Sequence, residues 1–321
     1  MSAMAQVSEQ KQNSGFKRVL IATDFSAVSE RAIAYSLSIA RRYGSTVSIV
    51  HAMAPQVRES ITVDPLPLQL DRERIEARKE MARLAEESPI KNLHPQFFLE
   101  RGEAWDVLAS IIKRENPDLL VLGTHGRGGL KKLVLGSVAE EVLRRARCPV
   151  LTVGPNVLPA NPGKAEFKTI LFATDFGPGS VRAFAHALFL AEDCQAKLIL
   201  LHMVPPMPAA EIGPGVFAPG TYVAQQVTEW QATKKKEGMQ KLKELVPSNT
   251  KLTASPEYLI GLDFLPEGIL DVAAAQNADL IVMGAHPRAS ARVASHTSWA
   301  LVHGVICGAK CPVLTVLGLS Q

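Results

Sequence analysis

The chain has 321 residues, enough for about two domains, and 47% of them are hydrophobic, enough for both domains to bury a core. Its formal net charge of +4 is small for this length and argues against a dedicated nucleic-acid-binding protein, which would carry a dense basic stripe. No apolar run reaches the roughly 18 residues of a membrane span. The four cysteines include no Cys-x-x-Cys pair and do not form a disulfide framework.

The first half of the chain alternates short apolar runs with helical patterns. Residues 1–16 are polar and lack the apolar segment of a signal peptide, so we expect a disordered tail and a soluble, cytoplasmic protein. After this tail, strand alternating with helix predicts right-handed crossovers and a parallel sheet. The predicted strands lie near 17–22, 46–52, 95–100, 118–123 and 149–153, and the predicted helices near 27–43, 68–87, 104–115 and 137–147.

The second half repeats the first. Ala22-Thr-Asp-Phe25 returns as Ala173-Thr-Asp-Phe176, 151 positions later (22 to 173). Cys148-Pro-Val-Leu-Thr-Val153 returns intact from Cys311, 163 positions later (148 to 311). Further matches at the second and fourth strands keep the same order, so the chain contains a duplicated domain.

The repeat sets the domain boundaries. We predict one domain over 17–155, a linker rich in proline and glycine over 156–166, and a second domain over 167–318. A long helix near 221–246 in the second domain carries three consecutive lysines, which are typical of a solvated face. The second-domain strands are predicted near 168–173, 197–203, 253–260, 279–283 and 312–316.

An aspartate follows the first strand of each copy. Asp24 and Asp175 therefore lie at the carboxyl end of a strand, where open parallel sheets bind ligands, and a carboxylate there can accept hydrogen bonds from a ribose or a base. The alternative is that each aspartate caps the helix that follows. The two roles are compatible. His51 and His202, which end the second strands, are interpreted as structural core or rim residues.

A glycine-rich loop follows the fourth strand of the first copy and leads into a helix. The stretch Gly123 to Ser137 suits phosphate binding, because glycines let the backbone approach an anion and the first N–H groups of a helix are unpaired. An ordinary strand-to-helix turn is the alternative. The first strand-to-helix turn has no glycine, which argues against a Rossmann dinucleotide site, and no Gly-Lys-Ser/Thr of a Walker A loop is present.

The spacing Gly123-x2-Gly126-x9-Gly136-Ser137 resembles that of the ATP-binding universal stress proteins. The resemblance covers about 17–154 and 167–317, as a tandem pair. It implies an α/β fold of two tandem open-sheet domains, Rossmann-like and similar to the adenine nucleotide alpha-hydrolases. In each domain, a five-stranded parallel sheet of order 3-2-1-4-5 would be flanked by helices.

The resemblance also implies ATP as the ligand, with Mg²⁺ as a candidate companion of its phosphates. Contacts with the nucleoside are implied for Asp24, Ala52, Leu122 and Gly123. Contacts with the phosphates are implied for Gly126, Gly136, Ser137 and Val138, with Arg127 and Lys131 as candidate sources of positive charge. No residue stands out as a nucleophile or general base, so any enzyme activity would be slow hydrolysis or autophosphorylation, and no metal site is predicted.

The second copy departs from the glycine pattern. Gly284 remains, but Pro287 replaces the second glycine, and a proline removes a backbone donor. The last glycine is replaced by Thr297 or Trp299, depending on the register. Asp175 leaves room for a nucleoside. The hypothesis is one ATP-competent domain and one degenerate partner.

Three functions remain in view: an ATP-binding stress-response regulator, an interaction module that has lost nucleotide affinity, and a slow ATPase or autokinase. The protein partners are unknown. Because the family pairs its last strands, Val150 to Val153 and Val313 to Val316 are expected to pair antiparallel within one chain as an intramolecular pseudo-dimer, which would cover two sheet edges. Further association into a homodimer is left open.

Overall fold

The computed structural model describes residues 15–55, 66–124, 135–159, 166–208, 220–262, 265–285 and 299–318. The chain divides into two compact units. The first unit contains Gly15–Glu166 together with Ile306–Thr315, and the second contains Phe167–Val305 together with the residues from Val316 onward. None of the helices in the described ranges is long and apolar enough to cross a membrane.

The first copy alternates strand and helix, as predicted. Its one additional helix is a four-residue segment that places Pro89 in its first turn, where the missing N–H costs nothing. The elements are β1 (Arg18–Ala22), α1 (Ala27–Tyr43), β2 (Thr46–Met53), α2 (Leu66–Glu86), α3 (Ser88–Lys91), β3 (Gln96–Arg101), α4 (Ala104–Glu115), β4 (Leu119–Gly123), α5 (Ser137–Arg145) and β5 (Val150–Val153).

The first-copy strands form a sheet of order β3-β2-β1-β4-β5, which confirms the predicted 3-2-1-4-5 order. All four neighbouring pairs are parallel. The central strand β1 pairs Val19 with Val47 on one side and with Leu119 on the other. Leu20 and Ile21 are fully buried, as expected for a strand that is covered on both faces of a parallel sheet.

The second copy has the same alternation. Its central strand β6 pairs in parallel with β7 and with β9, and β7 pairs in parallel with β8. Four of its strands therefore have the order β8-β7-β6-β9. The elements are β6 (Thr169–Thr174), α6 (Pro178–Cys194), β7 (Lys197–Met203), α7 (Gly220–Leu245), β8 (Glu257–Gly261), α8 (Glu267–Ala275), β9 (Leu280–Ala285), α9 (Trp299–Gly308) and β10 (Val313–Leu317).

The last strand of the second copy completes the sheet of the first unit. Val313, Leu314 and Thr315 of β10 pair antiparallel with Thr152, Leu151 and Val150 of β5, as predicted. The buried Thr152 hydroxyl also donates to the Val313 carbonyl at 3.2 Å. The backbone groups of β5 are thereby paired on both sides.

Helix α1 shows how local sequence fixes an element. Ser26 is its N-cap, because the Ser26 hydroxyl accepts from the Ser29 N–H at 3.3 Å. The helix ends at Gly44, whose φ of 59° is the left-handed conformation that favours glycine. Between these ends, Ala32, Leu37 and Ala40 are buried.

Two predicted boundaries were wrong by a few residues. Strand β8 begins at Glu257 rather than near 253, and Pro256 just before it has no N–H to donate to a strand partner. Helix α5 ends at Arg145 rather than near 147, because Ala146 has the extended backbone φ of −65° and ψ of 129°. Cys148 and Pro149 then lead into β5.

Candidate functional site

The candidate site lies at the carboxyl end of β1. The chain leaves β1 toward β2 on one side and later returns to form β4 on the other side. A crevice opens outside the carboxyl ends of the strands where the order reverses in this way. Thr23 and Asp24 follow β1 directly, and Thr124 follows β4, so these residues meet at the crevice.

Asp24 organises the turn between β1 and α1. Its Oδ1 accepts from the Ser26 N–H at 3.1 Å and from the Ser29 hydroxyl at 2.5 Å. The N-cap of helix α1 is Ser26 rather than Asp24. Asp24 instead stabilises the turn that precedes the cap. Burial favours the neutral acid, but the hydrogen bonds from Ser29 and Ser26 outweigh it and hold the pKa of Asp24 below its ordinary value. Asp24 is therefore a carboxylate at neutral pH.

Phe25 and His51 lie in contact beside the aspartate turn, an arrangement that was not predicted from the sequence. Phe25 has a φ of 60°, a left-handed conformation that is uncommon for an aromatic residue. Its ring centroid lies 4.4 Å from that of His51. His51 Nδ1 lies 2.8 Å from the Thr23 carbonyl oxygen, which can only accept, so Nδ1 carries the proton of this contact. This contact gives His51 the structural role predicted for it.

Ala52 presents its backbone toward the crevice. The Val50 carbonyl accepts from the Thr23 N–H at 2.9 Å, whereas the Met53 carbonyl accepts from the Gly102 N–H at 3.0 Å. Successive residues of a parallel strand direct their backbone groups to alternate sides, so those of Ala52 point the same way as those of Val50. That side is where β1 has ended. The N–H and C=O of Ala52 are thus placed to form hydrogen bonds with the flat polar edge of a ligand.

The glycine at the end of β4 packs under helix α1. A Cβ added to Gly123 would lie 3.0 Å from the Ser29 nitrogen and 3.1 Å from the Val28 backbone carbon. A side chain there would displace the turn that Asp24 organises. Leu122, one residue earlier, is only 3% exposed.

Gly136 links β4 to the start of helix α5. Its N–H donates to the Thr124 carbonyl at 2.8 Å, and Thr124 directly follows Gly123. Gly136 is the N-cap of α5 and has no side chain to bond the first N–H groups of the helix. Ser137 and Val138 form the first turn, and both are exposed. These uncapped amides are suited to bind an anion.

The structure thus joins several predicted residues by direct contact. Asp24 bonds Ser29, Ser29 packs on Gly123, and Thr124 receives the hydrogen bond from Gly136. Ser29 and Thr124 were not singled out from the sequence, although Ser29 recurs as Ser180 at the same offset of 151. The predicted Gly126, Arg127 and Lys131 lie outside the described residues.

The second unit repeats the aspartate turn. Asp175 Oδ1 accepts from the Gly177 N–H at 2.9 Å and from the Ser180 hydroxyl at 2.5 Å. Phe176 has a φ of 62°, and its ring lies 4.4 Å from that of His202. His202 Nδ1 lies 2.9 Å from the Thr174 carbonyl oxygen. The aspartate turn and the contact between the phenylalanine and histidine rings are thus the same in both units.

The two units differ at the residue that begins the helix after the fourth strand. A Cβ on Gly284 would collide with the backbone of Gly179 and Ser180, so this glycine serves close packing of helix α6. Helix α9 begins at Trp299. Counting back from the matched cysteines, Trp299 occupies the position of Gly136 (299 − 163 = 136). The predicted replacements Pro287 and Thr297 lie outside the described residues.

The described part of the chain contains neither a disulfide nor a cluster of metal-binding side chains. No disulfide joins the four cysteines, and Cys307 and Cys311 are buried. Burial raises the pKa of the Cys148 thiol to about 11, so Cys148 stays protonated at neutral pH. Within the described ranges, no cluster of three His, Cys, Asp or Glu side chains could hold a metal ion.

The fold and the crevice define a class: parallel open-sheet α/β proteins with a ligand cleft at the point where the strand order reverses. A family model described as "Universal stress protein family" matches residues 15–154 and 166–316. The chain therefore belongs to the universal stress protein family, as a tandem two-domain member.

Relatives and solved structures agree with this assignment. A universal stress protein of Methanocaldococcus jannaschii is 31% identical over 150 residues, which is 43% of this chain and 82% of that protein. One from Thermus aquaticus is 32% identical over 141 residues, 43% of this chain and 98% of that protein. This chain also resembles the crystal structure of a universal stress protein from Archaeoglobus fulgidus, with a TM-score of 0.61 and 17% sequence identity. The match covers 94% of this chain and 98% of the Archaeoglobus chain. That structural likeness supports the fold.

Proposed function

We propose that the first unit binds ATP at the crevice of β1 and β4 and that the protein acts as an ATP-responsive stress regulator. The observation that carries this proposal is the chain of contacts from Asp24 through Ser29, Gly123 and Thr124 to Gly136. These contacts support the proposal because they connect a carboxylate with the start of helix α5.

Each part of the cleft suits one part of the nucleotide. The carboxylate of Asp24 is an acceptor for ribose hydroxyls, and the backbone of Ala52 offers a donor and an acceptor to a base edge. The exposed first turn of α5, at Ser137 and Val138, offers N–H groups to the phosphates. Gly126 and Arg127 complete the proposed phosphate contacts. Mg²⁺ would be held mainly by phosphate oxygens, as is usual for this ion.

The proposal includes intramolecular pairing of the two family segments as a pseudo-dimer. The antiparallel pair of β5 and β10 within the first unit supports it. A regulator of this kind would use nucleotide occupancy to change its conformation or its partner binding, and no fast hydrolysis is required.

The nucleotide content of the purified protein tests the proposal. Protein is denatured by heat, and the released nucleotide is separated and identified by chromatography. We expect adenine nucleotide from the wild type and none from Gly136→Trp, since the indole would fill the space above the first turn of α5. Leu158→Trp is the matched control, because Leu158 is 75% exposed and distant in sequence from the cleft. No nucleotide from the wild type and no ATP binding on titration would instead support an interaction module.

A further inference from the structure

Six exposed cationic side chains lie at the end of the first unit where β1 begins. In a right-handed crossover the helix runs back along the sheet, so the last turns of α1 and α4 lie beside the start of β1. Two hydrogen bonds hold this arrangement: Lys17 Nζ donates to the Tyr43 carbonyl at 3.1 Å, and Arg18 Nε donates to the Asn116 carbonyl at 2.6 Å. The six side chains, which we call the basic face, are Lys17, Arg18, Arg41, Arg42, Lys113 and Arg114.

The basic face has an excess of positive charge. The segments that carry it, residues 17–18, 41–44 and 113–118, contain six cations and two carboxylates, so their formal charge is +4 (6 − 2). The two carboxylates are Glu115 and Asp118. Arg41 donates to the Pro89 carbonyl at 3.3 Å, and a neutral carbonyl does not cancel the charge of a guanidinium.

The second copy folds in the same way without this charge. Its matching segments lie 151 positions later for β1 and α1, and 161 positions later for α4. They contain one lysine and three carboxylates, so their formal charge is −2 (1 − 3). These segments are residues 168–169, 192–195 and 274–279.

The helix ends therefore do not require the cations in order to fold. The helix dipole favours a cation in the last turn and disfavours an anion there. Arg41 and Arg42 are nevertheless replaced by the acidic pair Glu192-Asp193 at the end of α6 (41 + 151 = 192). Helix α6 still ends in a left-handed residue, Gln195 with a φ of 53°, as α1 does. The cations of the first unit thus have a use other than folding.

The composition of the basic face suits carboxylates. Four of its six cations are arginines, whose planar guanidinium can bind one carboxylate through two hydrogen bonds. Its aromatic residue, Tyr43, is half-buried and packs edge-on against Phe16 with ring centroids 5.7 Å apart, so it does not offer a platform for a nucleic-acid base. The exposed large hydrophobic side chains of the described ranges lie outside these segments, so the face has no apolar group to insert into a bilayer.

We propose that the basic face binds an acidic segment of a partner protein, rich in aspartate and glutamate. Crossovers in opposite directions along the sheet place α1 and α4 on its opposite sides, so the face spans three layers, roughly 20 Å at about 10 Å per layer. An extended segment of about six residues covers that distance. The basic face lies at the start of β1 and the candidate ATP crevice at its other end. This proposal therefore does not rest on ATP binding.

Fluorescence anisotropy of a labelled acidic peptide tests the proposal on the full chain. The probe is fluorescein-labelled hexaglutamate at about 0.1 M salt, at which charges within about 10 Å still interact. The double variant Arg41→Glu/Arg42→Asp places the residues of the second copy at the end of α1. We expect it to weaken peptide binding at least tenfold.

Two further double variants make the test specific. Lys235→Glu/Lys236→Asp changes the net charge by the same amount on exposed positions of α7 and should bind the peptide as the wild type does. Lys113→Ala/Arg114→Ala copies the second unit at the end of α4. It should weaken binding by a smaller factor than the α1 variant, because Arg114 already pairs with two carboxylates at 3.1 and 3.4 Å.

Three results would overturn the proposal. The first is no binding of the peptide by the wild type. The second is equal weakening by the charge reversals on α1 and on α7, which would be an effect of net charge alone. The third is tighter binding of a DNA duplex or of phosphatidylserine vesicles than of the peptide, which would assign the face to another class of partner.

Discussion

The bond between Ser29 and Asp24 is the residue-scale feature on which the first crevice depends. Ser29 is 4% exposed, and its hydroxyl bonds a carboxylate whose pKa lies below the ordinary value. A depressed folded pKa means that the unfolded chain binds the proton more readily. The stabilisation is therefore complete above the unfolded pKa, near 4, and is lost as pH falls through the folded pKa.

Ser29→Ala should lower the free energy of unfolding by about 1–3 kcal/mol at pH 7, since it removes a buried hydrogen bond to a charged group. The difference in unfolding free energy between the wild type and Ser29→Ala should become smaller as the pH falls below about 4, because Asp24 then becomes protonated. Urea unfolding between pH 3 and pH 7 measures both effects. Ser36→Ala is the control, because the Ser36 hydroxyl bonds the Ala32 carbonyl and its cost should not vary with pH. A pH-independent cost at Ser29 would contradict the coupling.

Gly123 at the end of β4 and Gly284 near the end of β9 give a second prediction at the scale of single residues. A Cβ on Gly284 meets backbone atoms of helix α6 more closely than one on Gly123 meets helix α1. Overpacking costs about 1–3 kcal/mol, and backbone neighbours have little freedom to yield. We expect Gly284→Ala to lower the thermal midpoint more than Gly123→Ala does, by scanning calorimetry of the full chain. The reverse order would show that the close packing under α6 is not what requires Gly284.

At the scale of secondary-structure elements, helix α1 forms hydrogen bonds with the segment that follows β5. Arg31 donates from one guanidinium nitrogen to the Pro155 carbonyl at 2.8 Å and to the Val157 carbonyl at 2.9 Å. In the second unit, Arg182 of α6 donates to the Leu317 carbonyl at 3.0 Å, after β10. Each copy thus uses the same helix to hold the chain as it leaves the last strand.

Arg31→Met should release this segment while keeping most of the packing of the side-chain stem. The Val157 N–H donates to the Gly154 carbonyl at 3.2 Å. Its hydrogen exchange should become about tenfold faster in the variant, because the variant loses one or two charge-assisted hydrogen bonds that hold this segment. Arg144→Met is the control, because Arg144 forms a surface ion pair with Glu140 of its own helix, and such a contact contributes little. Equal exchange at Val157 in both variants would show that Arg31 does not hold the segment.

At the scale of the whole molecule, the first unit depends on residues from the far end of the chain. Ile306–Thr315 belong to it, and β10 covers the edge of β5. A fragment of residues 15–166 exposes the unpaired N–H and C=O groups of β5. We expect this fragment to self-associate through that edge, with about twice its monomer mass by light scattering. A stable monomer with the thermal midpoint of the full chain would contradict this.

The repeat made most of the fold predictable from the sequence. Matching segments such as Ala22–Phe25 and Ala173–Phe176 predicted the same alternation of strand and helix in both copies, and the family resemblance predicted the sheet order and the pairing of β5 with β10. Other features depend on contacts between distant residues and leave weaker signals. The left-handed Phe25 against His51 is one case, and the grouping of Ile306–Thr315 with the first unit is another.

The candidate site was predictable only in part, for the same reason. Asp24, Gly123 and Gly136 were identified from their spacing, and the structure connects them. Ser29 could have been found from its repeat at Ser180, since both serines bond the aspartate five residues earlier.

The most direct test of a single ATP site in the first unit is the number of ATP molecules bound per chain. Calorimetric titration of the nucleotide-free wild type with ATP and Mg²⁺ should give one site, and Gly136→Trp should show none. Two equal sites would show that the second unit also holds the triphosphate, and undiminished binding by Gly136→Trp would place ATP away from helix α5. Either result would contradict the account given for the two units.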